Sequence, residues 1–301
     1  VTPPISLADE VADAVHSGRA VVALESTILS HGLPPGRNLA VANRLEETVR
    51  KAGAVPATIA VLDGVAYAGL SRAQLERVCA PDAGLDKLSL RDLGPAIGLG
   101  RSGATTVAST SALAHAAGIG VFATGGLGGV HLGAAESWDV SADLGVLATV
   151  PVLVVCSGVK SVLDIAATLE VLETNSVPVL GYRTGEFPAF YRRTSGFEVP
   201  WRVDDPVAAA AVVAAHRRYA SSGVLLANPI PAEAEMDAEL HDRLLAEGLA
   251  LLSSRGVHGK EVTPVLLEHF HTASGGVSLD ANEELVVSNA RVAAEVAVEL
   301  A

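Results

Sequence analysis

Six short runs of β-branched and other apolar residues, alternating with stretches of helical periodicity, constrain this chain more than any other feature. The runs cover residues 21–24, 58–62, 120–123, 152–156, 177–180 and 223–227. Helical patterns cover 38–52, 71–79, 105–117, 161–173, 206–221 and 232–254, with a last helix over 281–301. A short apolar run without alternation reads as a strand buried on both faces, and such strands belong to parallel sheets covered by helices. The pattern predicts a single-domain α/β/α layered fold over 1–301, with a mixed, mostly parallel sheet and helices on both faces. No low-complexity linker or fixed-period repeat interrupts it, and residues 200–205 read as a loop within one domain.

Composition narrows the partners. A formal charge of −13 over 301 residues argues against nucleic acid and anionic membrane, but leaves room for a small anionic substrate held by a few local cations. Cys79 and Cys156 are the only cysteines, so no disulfide framework is indicated and a cytoplasmic setting is expected. Residues 1–10 lack a basic region followed by an apolar stretch and do not read as a signal peptide. The uncharged stretch 144–159 is interrupted by Gly145, Pro151 and Gly158 and is too short to span a bilayer.

Lys160 ends the apolar run that begins at Val150. It is expected where a strand leaves the sheet, the usual ligand position in open α/β folds. Partial desolvation there lowers an amine's pKa and makes it a usable nucleophile; equally, the side chain could snorkel to solvent or neutralise a phosphate. Glu25 stands at the end of the first run, where a half-buried carboxyl can keep a raised pKa and act as a general acid. Lys87 and Arg91 could bind phosphate or face solvent.

Two glycine-rich segments invite comparison with phosphate loops. Gly98, Gly100 and Gly103 fit G-x-G-x-x-G, but residues 91–95 do not read as a strand and no acidic residue follows about 20 positions on. A weaker reading lets Thr105 and Thr106 present N–H groups and hydroxyls to phosphate at a helix start; an ordinary helix cap fits as well. Gly125, Gly126, Gly128, Gly129 and Gly133 directly follow a strand and suit close backbone approach to a ligand, or a mobile loop. Asp139 and Asp143, four apart, could share a helix face or flank a turn and hold a cation such as Mg²⁺ or Mn²⁺; either could equally be a cap.

Taken in order, segments 23–33, 57–64, 103–107, 122–131, 139–144, 156–161, 186–191, 227–231, 259–264 and 288–291 resemble the pseudouridine-5′-phosphate glycosidase family, which includes indigoidine synthase A-like proteins. The resemblance covers nearly the whole chain. It implies a lyase that reversibly cleaves the C–C bond between uracil C5 and ribose C1′ of pseudouridine 5′-phosphate, giving uracil and ribose 5-phosphate. By the same resemblance Lys160 is the nucleophile that forms an imine with C1′, Glu25 the proton donor and Asp139 the ligand of Mn²⁺ or another divalent metal. Lys87, Thr106, Val107, His131, Ser141, Ala142, Asp143 and Asn282 fall in the substrate-binding set, and a homotrimer is implied. Trp138, Ser157, Glu283 and Glu284 depart from the residues the resemblance leads one to expect. Two other readings use the same pocket: a Schiff-base lyase or aldolase acting on another sugar phosphate, and a sugar-phosphate sensor without chemistry.

Overall fold

Strands Val21–Leu24, Leu153–Cys156, Val179–Tyr182 and Val224–Ala227 are buried along their whole length, as unbroken apolar runs demand. A computed structural model describes residues 5–160, 163–257 and 262–301; Ser161, and residues 258–261 with Lys260, lie outside them. The central sheet runs Val55–Leu62, Val21–Leu24, Val121–Ala123, Leu153–Cys156, Val224–Ala227, Val179–Tyr182 and Trp201–Val203, all parallel. Val65–Ala68 and Gly103–Thr105 join Val55–Leu62 antiparallel, which makes the sheet mixed. Asp86–Leu88 pairs with Gly103–Thr105, and Ile5–Leu7 with Val65–Ala68.

Helices cover both faces. Val277–Leu300 lies across Val21–Leu24, Val121–Ala123 and Leu153–Cys156, beside Arg37–Lys51 and Pro206–His216. Val107–Ala116, with Ala142–Leu147 beside it, covers Val21–Leu24 and its neighbours from the other face. Arg37 pairs with Asp280 and Glu283, and Arg44 with Glu284, so the unexpected Glu283 and Glu284 tie the last helix to Arg37–Lys51. Ala238–Arg255 and Val262–Ala273 form a helical hairpin, whose second arm touches the π-helical turn Ile28–Gly32 just beyond Glu25.

Local signals set the element ends. Asp164 caps Ile165–Thr174, so that helix starts four residues later than its periodicity suggests. Asp237 caps Ala238–Arg255 and splits it from a 3₁₀ turn at Ala232–Ala234. Residues 91–95 fall in helix Leu90–Gly98, started by a Ser89–Asp92 capping box. Among the described residues no helix is long and apolar enough to cross a membrane.

The chain leaves Val21–Leu24 for its neighbour on one side and later returns on the other as Val121–Ala123. Such a reversal opens a crevice at the carboxyl ends of the two strands, where open α/β sheets bind ligands. Glu25 and Thr124 are the first residues past those ends.

Candidate active site

The two residues after Glu25 anchor the chain that carries it. Ser26 Oγ accepts the Thr105 N–H at 2.9 Å, and Thr27 Oγ1 donates to the Thr105 carbonyl at 2.8 Å. Thr105 Oγ1 in turn donates to the Ile59 carbonyl. These bonds pin the exit of the first strand to Gly103–Thr105 and leave the Glu25 side chain directed at the crevice. Across it, the Thr124 hydroxyl donates to a Glu25 carboxylate oxygen. Glu25 keeps a little surface toward the cavity but lies deep in the protein, and this burial pushes its carboxyl above the ordinary carboxylate range. The Lys160 charge and the Thr124 hydrogen bond pull the other way, Asp143 adds a smaller upward push, and Lys87 a smaller downward one.

Lys160 sits four residues beyond Cys156, at the end of a loop zipped to the glycine-rich segment. Leu127 N–H donates to the Gly158 carbonyl at 2.9 Å and Lys160 N–H to the Leu127 carbonyl at 3.3 Å. Gly158 has φ of 78°, and a Cβ there would stand 1.9 Å from the Pro188 carbonyl oxygen. Gly158→Ala is therefore expected to lower stability by at least about 1–3 kcal/mol from backbone strain alone, read as a shifted denaturant midpoint. Cys156, just before the loop, is no rival nucleophile, because burial pushes its thiol up to about 12.

Glu25 and Lys160 line one small cavity with Gly125, Gly126, Phe190, Leu267 and Asn282. Asn282 is buried, and its Oδ1 has no hydrogen-bond partner among the described residues. Lys87, on Asp86–Leu88 in register with Ala104, is close enough to influence both Glu25 and His131. His131 is brought in by the short antiparallel pair Val130–His131 with Leu163–Asp164, where it faces Leu163. Burial lowers its imidazole pKa; Asp139 opposes that shift, and Lys160 and Lys87 add to it.

The two aspartates do different things. Asp139 lies outside helix Ala142–Leu147, with a carboxylate oxygen 3.8 Å from His131 Nδ1, whereas Asp143 is in that helix's first turn. They do not share a helix face. Both Asp143 oxygens accept backbone N–H groups at 2.9 Å, from Ala108 and from Gly128. Asp143 thereby staples the start of Val107–Ala116 to the glycine-rich loop, while Ser141 Oγ accepts the Asp143 N–H. At Gly128 an added Cβ would lie 2.4 Å from Ser141 Oγ, so this glycine serves close packing.

The phosphate reading of the 103–106 segment meets occupied groups. Thr105 N–H goes to Ser26, Thr106 N–H to Ser109 Oγ and the Leu88 carbonyl, and Ala108 N–H to Asp143. Thr106 caps the helix, and the Val107 side chain is buried, so Val107 can meet a ligand only through its backbone. Gly98 ends a helix and Gly103 opens a strand, which is not the strand–turn–helix of a dinucleotide loop. Ala142 is exposed at its helix start, and Trp138 is 86% exposed, its side chain outside the cavity that holds Glu25 and Lys160.

A buried polar knot beneath the cavity escaped the residue-by-residue reading. Asn289 Nδ2 donates to the Thr124 carbonyl at 2.8 Å and to Ser157 Oγ at 3.1 Å, and Asn289 Oδ1 accepts from Asn228 at 2.9 Å. This knot joins the carboxyl ends of Val121–Ala123, Leu153–Cys156 and Val224–Ala227 to the last helix. It also accounts for Ser157, whose hydroxyl an alanine would lack. The signal was present in sequence, since segments 227–231 and 288–291 both carry the resemblance.

Fold and site together set a lysine and a buried carboxyl of raised pKa in one crevice at the carboxyl edge of an α/β sheet. The chain belongs to the family of indigoidine synthase A-like proteins and pseudouridine-5′-phosphate glycosidases. The family described as indigoidine synthase A like protein matches residues 10–299. A pseudouridine-5′-phosphate glycosidase of Salinispora tropica is 56% identical over 96% of this chain and 90% of its own length. One of Herpetosiphon aurantiacus is 52% identical, covering 98% of this chain and 97% of its own. Among solved structures, the prealnumycin C-glycosynthase AlnA in complex with ribulose 5-phosphate superposes with a TM-score of 0.91 at 40% identity, covering 99% of this chain and 98% of that one. An indigoidine synthase A-like protein of Thermotoga maritima gives 0.88 at 35% identity, covering 100% and 97%.

Proposed function

We propose that this enzyme reversibly cleaves the C–C glycosidic bond of pseudouridine 5′-phosphate, yielding uracil and ribose 5-phosphate through an imine on Lys160. The observation that carries the reading is the buried Glu25 lining the same cavity as Lys160, its carboxyl pKa raised by that burial. Relatives named for this activity at about half identity over nearly the full length support it. A structural neighbour holding a pentulose 5-phosphate supports a sugar-phosphate site.

The chemistry requires this pair. A C-glycosidic bond has no heteroatom leaving group, so protonating the base oxygen or nitrogen cannot release it. Glu25 gives its proton to the ribose ring oxygen, and the C1′–O4′ bond breaks as the electron-rich uracil donates electrons toward C1′. The Lys160 amine adds to C1′ and loses a proton. A proton then arrives at uracil C5, the C1′–C5 pair returns to the base, and uracil leaves behind a protonated imine. Water adds to that imine and expels the Lys160 amine, releasing ribose 5-phosphate. A carboxyl that holds its proton more tightly than an exposed one is the scarce ingredient, and burial pushes Glu25 in that direction. Lys87 would meet the phosphate end.

A divalent cation such as Mn²⁺ belongs to the proposal. Asp139 and His131 are the side chains that would hold it, and burial lowers the imidazole pKa, which favours the neutral form a metal ligand needs. Among the described residues no group of three His, Cys, Asp or Glu side chains forms a closed cage, so waters would complete the shell. When bound, the ion would supply positive charge and oriented water beside the substrate. Chelation is expected to abolish activity and Mn²⁺ to restore it. Asp139→Ala should raise the Mn²⁺ concentration for half-activity by roughly tenfold or more. Full activity of that variant without added metal would remove Asp139 from the role.

The homotrimer implied by the family is proposed with the activity, and sedimentation equilibrium tests it. Incubation of pseudouridine 5′-phosphate with enzyme and Mn²⁺ tests the reaction itself: free uracil supports it. Turnover of other sugar phosphates without uracil release would favour a different Schiff-base lyase, and binding without turnover a sensor.

A further inference from the structure

Asn289, on helix Val277–Leu300, is fully buried beneath the cavity and outside its lining. Its Nδ2 donates to the Thr124 carbonyl and to Ser157 Oγ, and its Oδ1 accepts from Asn228, so donor and acceptor sides of the amide are both engaged. From two of these partners the chain leads straight to a reacting group. Thr124 is fully buried, and its hydroxyl donates to Glu25. Ser157 opens the loop that ends at Lys160, and its carbonyl accepts the N–H of Phe190, a cavity-wall residue held at φ of 60°. Between the two strand exits, Thr124 N–H donates to the Val155 carbonyl at 3.0 Å and Ser157 N–H to the Gly125 carbonyl at 2.9 Å. These bonds carry the pairing of Val121–Ala123 with Leu153–Cys156 one step past the strands, to where the amide sits.

Packing alone does not ask for an amide here. Leu285, Val286, Val292 and Ala293, the buried positions around it on the same helix, are apolar. A buried polar group costs free energy unless its partners are in place, and a fully satisfied one fixes their relative geometry. Such fixing is needed at this point. Glu25 and Lys160 leave from strands that are not neighbours, since Val121–Ala123 lies between Val21–Leu24 and Leu153–Cys156. The sheet ladder ends before either side chain begins. A proton donor and an amine that act on one sugar must be held to within about 0.5 Å. We propose that Asn289 is a positioning residue, holding Thr124 and Ser157 in one register so that the acid and the amine converge on the same sugar ring. The inference deepens the proposed C–C cleavage and rests on it.

The test measures uracil release from pseudouridine 5′-phosphate in the presence of Mn²⁺, with rates expressed per borohydride-trappable Lys160 so that misfolded protein does not count. Asn289→Ala is expected to lower kcat roughly tenfold to a hundredfold, the scale of a small displacement of reacting groups, and to leave KM within about threefold. A residue that only stabilises the fold would lower the melting temperature and leave kcat per site unchanged, a result that would overturn the proposal. The pH profile tests the route. Cleavage needs Glu25 protonated, and the Thr124 hydrogen bond draws its carboxyl downward, so Asn289→Ala should carry the alkaline limb of kcat/KM to higher pH. Thr124→Val has no hydroxyl to pass the effect on, and adding Asn289→Ala to it should move the limb no further. An equal shift in both backgrounds would contradict the route through Thr124. If Asn289→Ala does not fold, Asn228→Ala loosens the same amide from its other side. It should lower kcat in smaller measure with KM held, and an unchanged kcat there would overturn the proposal. Absence of uracil release by the wild-type enzyme would instead refute the parent reaction, whereas wild-type kinetics in Asn289→Ala would refute the positioning role alone.

Discussion

Lys160→Ala should bind pseudouridine 5′-phosphate with near wild-type affinity and release almost no uracil from it. The lysine makes its decisive contact only when it bonds to C1′, so its removal raises the barrier and leaves ground-state binding nearly unchanged. A fall in kcat of roughly 10⁴- to 10⁶-fold is the scale for losing a covalent nucleophile. Folding should survive, because the loop is held by backbone bonds between residues 127 and 158–160 and not by the amine. Binding measured by calorimetry, beside uracil release, separates the two effects. A variant that retains more than a few per cent of activity would remove Lys160 from the mechanism.

Glu25→Gln is expected to lose roughly two to four orders of magnitude in rate, the usual cost of removing a general acid. The amide keeps the shape of the carboxyl and can still bond to Thr124, but has no proton to give. The pH profile carries the sign. Glu25 is active when protonated, and burial raises its pKa, so kcat/KM should fall as pH rises through that raised value. That alkaline limb should vanish in the glutamine variant. For stability the same shift works oppositely to a salt-bridged carboxylate: the folded state favours the protonated form, so Glu25's contribution to stability declines as pH rises from the unfolded pKa to the folded one. Ribose 5-phosphate opens its ring without help, so its imine should still form with Lys160 in Glu25→Gln. Loss of both trapping and cleavage would reassign Glu25 to orienting Lys160.

The central strands were legible in the sequence because they are buried on both faces and therefore spelled as unbroken apolar runs. The strands that went unread, such as Asp86–Leu88, Gly103–Thr105, Val65–Ala68 and Trp201–Val203, are short and pair away from the parallel core or at its edge. Three or four residues carry no period that a sequence pattern can resolve. Helix 206–221 was read too long for a related reason. Composition favours helix throughout, but the chain turns after His216 to begin Val224–Ala227.

The site was legible in part. Glu25 and Lys160 announce themselves as charged residues at the ends of apolar runs. Asn282 and Asn289 do not, although their spacing of seven puts them on one face of the last helix, under the crevice. Their significance lies in long-range partners: Asn289 bonds to residues 124, 157 and 228, from three different strand ends. Asp143 looked like a candidate cation ligand by its spacing from Asp139, yet its oxygens hold two backbone groups from distant segments. Phe190 carried no signal beyond its place in segment 186–191, because a left-handed backbone is invisible in a residue name.

Borohydride reduction during incubation with ribose 5-phosphate, followed by peptide mass spectrometry, tests the central claim most directly. A secondary amine joining the reduced sugar phosphate to the peptide that contains Lys160 is the expected result, absent in Lys160→Ala. A stable adduct on Lys87 or Lys260, with Lys160 unmodified, would contradict the account.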